Sequence, residues 1–151
     1  MQMKAEIISI GLAVIASAMS LAEVVDVAPA TRSVRKCGET CTVTLPGGAK
    51  MEMIWCSPGK FQMGSPSGEP GRLSNEPLHS VTLTKGFWLG KYEVTQRQWE
   101  SVMRSNHSRF RNADNPVENI SWHDCAAFIK RVSASFGGKA RLPTEAEWEY
   151  A

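Results

Sequence analysis

Arg141-Leu142-Pro143-Thr144-Glu145-Ala146-Glu147-Trp148-Glu149-Tyr150-Ala151 closes the chain, and the reading of the fold starts there. Pro143 followed by Thr144-x-x-Glu147 is a helix start. In such a capping box the Thr side chain accepts from an orphan backbone N–H at the third helical position, and the Glu reaches back to the N–H of the Thr. Ala146, Trp148 and Tyr150 begin an apolar pattern. A helix this short is not stable alone in water, so its aromatic face needs a partner. The expectation is the front portion of a longer domain, cut inside a helix that has only just begun.

The same box occurs twice upstream. Thr95-x-x-Gln98 predicts a helix with Trp99, Val102 and Met103 on one face. Ser121-x-x-Asp124 predicts another, in which Trp122, Cys125, Ala126, Ile129, Val132 and Phe136 recur at helical spacing and are expected to be buried. Gly137-Gly138 is its expected stop. Before the helices come strands. Thr42–Leu45 ends at Pro46-Gly47-Gly48, Met51–Cys56 is closed by Ser57-Pro58-Gly59, and Phe61–Met63 ends at Gly64. Ser80–Thr84 alternates apolar and polar residues. Phe87–Val94 reads as a further buried strand, and Lys85-Gly86 between the two predicts a hairpin. Ser65–Pro77, with Pro66, Pro70, Pro77, Gly68 and Gly71, is a surface loop, and Asn106–Val117 is irregular surface chain.

At 151 residues one domain is the default. A formal charge of +2 gives no support to a nucleic-acid or membrane-surface role, and Lys and Arg are scattered. The N-terminus carries Lys4, then an apolar stretch from Ile7 to Leu21, then small residues at Ser20 and Ala22. This pattern predicts a signal peptide over residues 1–22, cleaved after Ala22, and an exported, periplasmic or secreted protein that is not membrane-bound after cleavage; the other reading is an uncleaved anchor helix, for which the stretch is short against a bilayer span of ~20 residues. Residues 23–50 read as a linker and first strand. Four cysteines in a secreted chain suggest bridges, with three possible connectivities. Cys37 and Cys41 enclose only Gly38-Glu39-Thr40, so a tight local disulfide is geometrically accessible.

Several motifs occur in a specific order. Phe61-x-Met63-Gly64-Ser65 precedes Glu76-Pro77-x-His79-x-Val81 and Phe87-x-x-x-Lys91-Tyr92-Glu93-Val94-Thr95. Asn115-Pro116-Val117 and Ile120-Ser121-Trp122-x-Asp124 follow, and the closing eleven residues complete the series. Together they resemble the formylglycine-generating enzyme, or sulfatase-modifying factor, family. The resemblance covers residues 51–151 and implies the N-terminal part of that domain. The implied fold is irregular, α+β and related to the C-type lectin fold. The implied activity of a full-length active member is copper- and oxygen-dependent oxidation of a peptidyl cysteine, in a Cys-x-Pro-x-Arg segment of a sulfatase, to formylglycine. Other members are iron-dependent sulfoxide synthases, act in pigment maturation, or only bind ligands. The family's copper-binding cysteine pair and its calcium sites belong to the C-terminal half. No catalytic, cofactor-binding or metal residue is therefore carried over onto this chain. The runner-up reading is a non-catalytic ligand- or protein-binding module on the same fold.

The remaining chemistry-bearing residues have structural readings. Cys125 is a small apolar thiol on a helix face, and Cys56 is core or bridge. His79, His107 and His123 are scattered and lack the convergence an iron site needs. Asp124, Glu145, Glu147 and Glu149 sit in first helical turns, where acidic groups favour the positive end of the dipole. Arg141 is expected to pair with a buried carboxylate such as Glu93. Trp88, Trp99, Trp122 and Trp148 are expected in the core, and the Ser65–Pro77 loop is the best candidate for a binding surface. Leaving the faces around Trp122 and Trp148 unburied forfeits roughly 1.5–3 kcal/mol per large side chain. The chain by itself is therefore expected to be poorly folded or aggregation-prone.

Overall fold

A computed structural model describes residues 35–136 and 140–151, together with the backbone of Ile15–Ala16. Most of the predicted signal peptide, the first part of the linker and the Gly137-Gly138 helix stop lie outside the described residues. The elements in chain order are β1 (Ile15–Ala16), β2 (Thr40–Thr44), β3 (Lys50–Cys56), β4 (Gly59–Met63), β5 (His79–Leu83) and β6 (Phe87–Gly90). They are followed by α1 (Gln96–Met103), α2 (Trp122–Ser135), β7 (Ala140–Arg141) and α3 (Glu145–Tyr150). One sheet has the order β2-β3-β6-β1-β7, and a second consists of β4 and β5. The domain is thus α+β, as the resemblance implies.

The predicted hairpin between Ser80–Thr84 and Phe87–Val94 does not form. β5 pairs instead with β4, Phe61 opposite Val81, and β6 pairs with β3, Trp55 opposite Trp88. The reason lies in the two short links. Between the pairs Cys56–Phe87 and Gly59–Leu83, one strand contributes Ser57-Pro58 and the other Thr84-Lys85-Gly86. Residues 50–63 and 79–90 therefore form one long hairpin, bent where three residues oppose two. Pro58 supplies no backbone donor at the bend. Gly86 passes so close to β3 that a Cβ there would lie 2.4 Å from the Trp55 ring and 2.9 Å from the Cys56 carbonyl. The tip of this hairpin is the Ser65–Pro77 loop.

Alternation along β3 separates two apolar clusters. Met51 and Met53 are buried while Lys50 and Glu52 are exposed, which is period-2 burial on a pleated strand. Met51 and Met53 join Leu45, Val94, Trp99, Val102, Phe128, Ile129, Val132 and Ala140 in the main core. Cys56, Phe87 and Leu89 form a second cluster, with Ile54, Leu83 and Tyr150 against it. The α1–α2 contact is an aromatic stack, Trp99 on Phe128 with ring centroids 5.0 Å apart.

All three predicted capping boxes are present, with Thr95, Ser121 and Thr144 as N-caps. Helix α1 ends at Arg104, whose backbone is left-handed (φ 63°) and donates to the Glu100 carbonyl. The helical period places Ile129 and Val132 correctly in the core, but Trp122 is 66% exposed. At the first helical position it lies ahead of the stripe that Phe128, Ile129 and Val132 bury.

The loop between Asn106 and Val117 is irregular yet tightly organised around Gln96, which is 1% exposed. The Gln96 amide donates to the Phe110 carbonyl (2.8 Å) and the Pro116 carbonyl (3.3 Å). Its oxygen accepts from the Asn106 side chain (2.9 Å) and the Asn112 N–H (3.3 Å). Both ends of a buried amide are thereby satisfied. Glu118 adds a second fastening by accepting from the Arg109 and Phe110 N–H groups.

Candidate functional site

Helix α3 and the hairpin tip meet, and both carry exposed apolar side chains. Arg141 comes from β7 and Glu147 from the first turn of α3. The guanidinium forms a two-pronged fork on the carboxylate, Nη1 to Oε2 at 2.7 Å and Nη2 to Oε1 at 2.6 Å. The expected Arg141–Glu93 pair is replaced by this one. Glu147 is within reach because it lies six residues on and already faces inward as the capping residue, accepting from the Thr144 N–H (2.9 Å) and hydroxyl (3.0 Å). The Arg141 fork is the main reason the Glu147 carboxyl is lowered to about 2, with the Thr144 bonds adding to it against the opposing cost of burial. A carboxylate held ionised by four donors has no capacity for acid–base work near neutral pH.

The next turn of α3 fastens the hairpin. Glu149 accepts from the Gly64 N–H at 2.8 Å, and the Tyr150 ring packs on Phe61 with centroids 5.2 Å apart. Gly64 has φ +90°, and a Cβ there would lie 2.6 Å from the Pro77 carbonyl oxygen. Only glycine allows this neck to close. The loop beyond is internally bonded. Arg72 donates to the Ser65 carbonyl (3.0 Å), and Glu76 accepts from the Leu73 N–H (3.2 Å) and the Ser65 hydroxyl (3.4 Å). It presents Leu73, 60% exposed, and Leu78, 49% exposed, and α3 presents Trp148, also 60% exposed. The placement of Trp148 in the core is therefore corrected. Glu147 and Tyr150 take the inward positions of this short helix, so Trp148 turns outward.

The other candidates do not converge. Among the described residues no group of three or more His, Cys, Asp and Glu side chains is placed to hold a metal ion. His79 is bonded to the Pro77 carbonyl (2.7 Å), and His123 packs edge-on against Trp122. Asp124 is lowered by its bonds to the Ser121 side chain and backbone, as a helix cap should be. Burial pushes the Cys41, Cys56 and Cys125 thiols up, which disfavours the nucleophilic thiolate. All four cysteines are free thiols, so the local Cys37–Cys41 bridge is not formed. Cys41 packs against the main core while Cys37 is exposed. Among the described residues no helix is long and apolar enough to cross a membrane.

Gln96 was not identifiable as a hub from its own segment, since its four partners lie ten to twenty residues away. A polar residue between a cap and a buried aromatic stripe is the one local signal available. Gly64 was legible as a strand end, but not as the hydrogen-bond donor to α3.

Comparison with known proteins gives a consistent assignment. Residues 43–151 match the model of the sulfatase-modifying factor enzyme 1-like domain. The chaperone protein LppX of Paenibacillus barcinonensis is 35% identical, over 48% of this chain and 37% of LppX. The formylglycine-generating enzyme of Mus musculus is 32% identical, over 49% of this chain and 18% of that enzyme. Among solved structures, PvdO from Pseudomonas aeruginosa superposes with a TM-score of 0.63 at 25% identity, covering 78% of this chain and 51% of PvdO. The chain thus spans about half of that structure and a smaller share of the curated relatives. With the ordered motifs, the fold and a family match over more than two thirds of its length, the chain belongs to the sulfatase-modifying factor, or formylglycine-generating enzyme, family.

Proposed function

We propose that this chain is the N-terminal part of an exported formylglycine-generating-enzyme-like protein. The full-length form would oxidise a peptidyl cysteine, with a protein substrate of the sulfatase type. The observation that carries this reading is the α3 region. It is the last of the ordered motifs in this chain, folded and pinned by Arg141, Glu147 and Glu149, yet it leaves Trp148 uncovered. A rigid helix that presents a large indole suits a surface completed by further protein. In this reading residues 35–151 supply scaffold and a flank of the substrate surface.

For the copper and calcium that the full activity implies, the described residues gather no ligand group of three or more. In this reading the chemistry belongs to the remainder of the full-length protein, and the 151-residue chain alone is expected to be inactive. The test extends the coding sequence beyond Ala151 and assays the product on a Cys-x-Pro-x-Arg peptide with copper and oxygen. Loss of the thiol mass and appearance of an aldehyde supports the reading. Turnover by the 151-residue chain alone would overturn the assignment.

A second reading, a non-catalytic module that binds a ligand or protein, is favoured by the exposure of Leu73 in the ordered loop, Leu78 at its end and Trp148 on α3. A chaperone protein among the relatives agrees with it. It takes precedence if the extended protein lacks a cysteine pair and leaves the peptide unchanged.

A further inference from the structure

The larger sheet contains a gap one strand wide. Its order is β2-β3-β6-β1-β7, and β1 consists of Ile15 and Ala16 alone. Ile15 lies opposite Leu89 of β6 and Arg141 of β7, and Ala16 lies opposite Trp88 and Ala140, antiparallel on both sides. β6 and β7 therefore run parallel to each other, two strand spacings or roughly 9.5 Å apart. That is too far for a direct hydrogen bond. Among the described residues β7 joins the sheet only through β1. Without β1, the backbone groups that β6 and β7 turn toward the gap have no strand partner. Two facing edges of this kind are a template for an added strand.

The gap also selects what fills it. Opposed residues of neighbouring strands share a face of the sheet. The position between Leu89 and Arg141 lies on the face of the cluster formed by Cys56, Phe87 and Leu89, while the Arg141 guanidinium is engaged by Glu147. The next position, between Trp88 and Ala140, lies on the face of the main core, to which Ala140 belongs and against which Trp88 packs. A strand covered on both faces is a continuous apolar run rather than an alternating one. A charge there would be desolvated, and a proline would remove a ladder donor. Residues 7–22 carry no charged residue and no proline, the longest such run in the chain. The segment that follows contains Glu23, Asp26, Pro29 and Arg32.

We propose that the gap between β6 and β7 is a binding slot for an extended apolar segment, and that its occupant is the chain's own N-terminal apolar stretch, seated at Ile15–Ala16. The stretch that reads as a leader is then also a strand of the domain. It connects β7, and with it Arg141 and α3, to β2, β3 and β6. The slot depends neither on export nor on cysteine oxidation. Only its emptying rests on the exported reading, in which cleavage after Ala22 removes the strand and uncovers both edges.

The test uses the whole 151-residue chain. Ala16→Cys with Ala140→Cys puts two thiols at opposed positions, where Cα separations of about 4.5–5.5 Å fall inside the range a disulfide spans. Ile15→Cys with Ala140→Cys offsets them by one residue, onto opposite faces. After equilibration in glutathione disulfide/glutathione, alkylation and cleavage after Lys and Glu, the new thiols fall on peptides 7–23 and 140–145, apart from the native cysteines. The opposed pair should link several-fold more than the offset pair, and urea should abolish the difference. Equal yields in native buffer, no link from either pair, or more link from the offset pair overturns the proposal. A second variant reads the slot without new thiols. Ala16→Pro should speed hydrogen exchange several-fold at the amides of β7 and at the β6 amides that do not pair with β3, and leave β4 and β5 unchanged. No change in β6 and β7, or equal acceleration in both sheets, overturns it as well. Cleavage after Ala22 is read separately by N-terminal sequencing of the exported chain, so a failure of the export reading leaves the result on the slot standing.

Discussion

Helices α1 and α3 begin with the same device and end in opposite circumstances. Thr95 and Thr144 make identical reciprocal boxes, with Gln98 and Glu147 as the returning residues. Four residues after each cap stands a tryptophan, Trp99 and Trp148. Trp99 is 2% exposed and stacked on Phe128, whereas Trp148 is 60% exposed. The difference teaches that a cap fixes where a helix starts and leaves open what its faces meet. In α1 the tryptophan faces α2. In α3 that role passes to Tyr150, which finds Phe61, while Glu147 turns inward to Arg141. One helix is held by dispersion and burial, the other mainly by an ion pair and hydrogen bonds.

The comparison is most easily broken at Trp99. Trp99→Ala removes a fully packed ring and should cost about 3–5 kcal/mol, read as a lowered urea midpoint with an unchanged slope. A cost below about 1 kcal/mol would mean that α1 is not anchored by this stack. Arg141→Ala comes next, at about 2 kcal/mol, because it strips a mostly buried carboxylate of two charged donors while the guanidinium side is half exposed and screened. The same pair predicts a pH dependence. Glu147 falls from the ordinary 4.5 to about 2 in the fold. A depressed carboxyl contributes stability above its unfolded value, and that stability is lost as pH falls from 4.5 through about 2. Glu147→Gln should remove this acid-limb loss, which an acid titration followed by near-UV circular dichroism would detect.

How far the sequence could be read differs in the same way. The three caps, the strands over residues 42–45 and 51–56, and the apolar stripe of α2 depend on neighbours a few positions apart, and these were legible. Pairing was not. Whether Val81 meets Phe61 or a residue of the following strand is decided by Gly86 fitting beside Trp55, a contact thirty residues distant in the chain. Arg141 was correctly expected to need a carboxylate, but Glu93 and Glu147 are equivalent candidates until the direction of α3 is known. Trp122 satisfied the helical period yet lies at the first turn, beyond the end of the packed stripe. Of the candidate surface, the loop could be recognised from its prolines and glycines. Its attachment to α3 through the Gly64 N–H involves a backbone group, and backbone donors carry no signature in sequence.

Smaller effects sharpen the contrast. Thr95→Ala and Thr144→Ala each remove a cap and should each cost about 1 kcal/mol, since the local geometry is the same. Thr144→Ala should exceed Thr95→Ala only by the share of Glu147 orientation lost from the Arg141 fork, and measuring both in one urea series tests that ordering. Trp148→Ala is the smallest, within about 0.5 kcal/mol for this chain, because an indole left in water forfeits little when removed. In the extended protein the same substitution has a different expected outcome. If further chain covers α3, the loss should rise to about 3–5 kcal/mol, the value for a buried ring. The ratio of the two Trp148→Ala effects therefore reports directly how much of this helix face the rest of the protein buries, and equal small effects in both forms would mean that the indole is kept free for a binding partner.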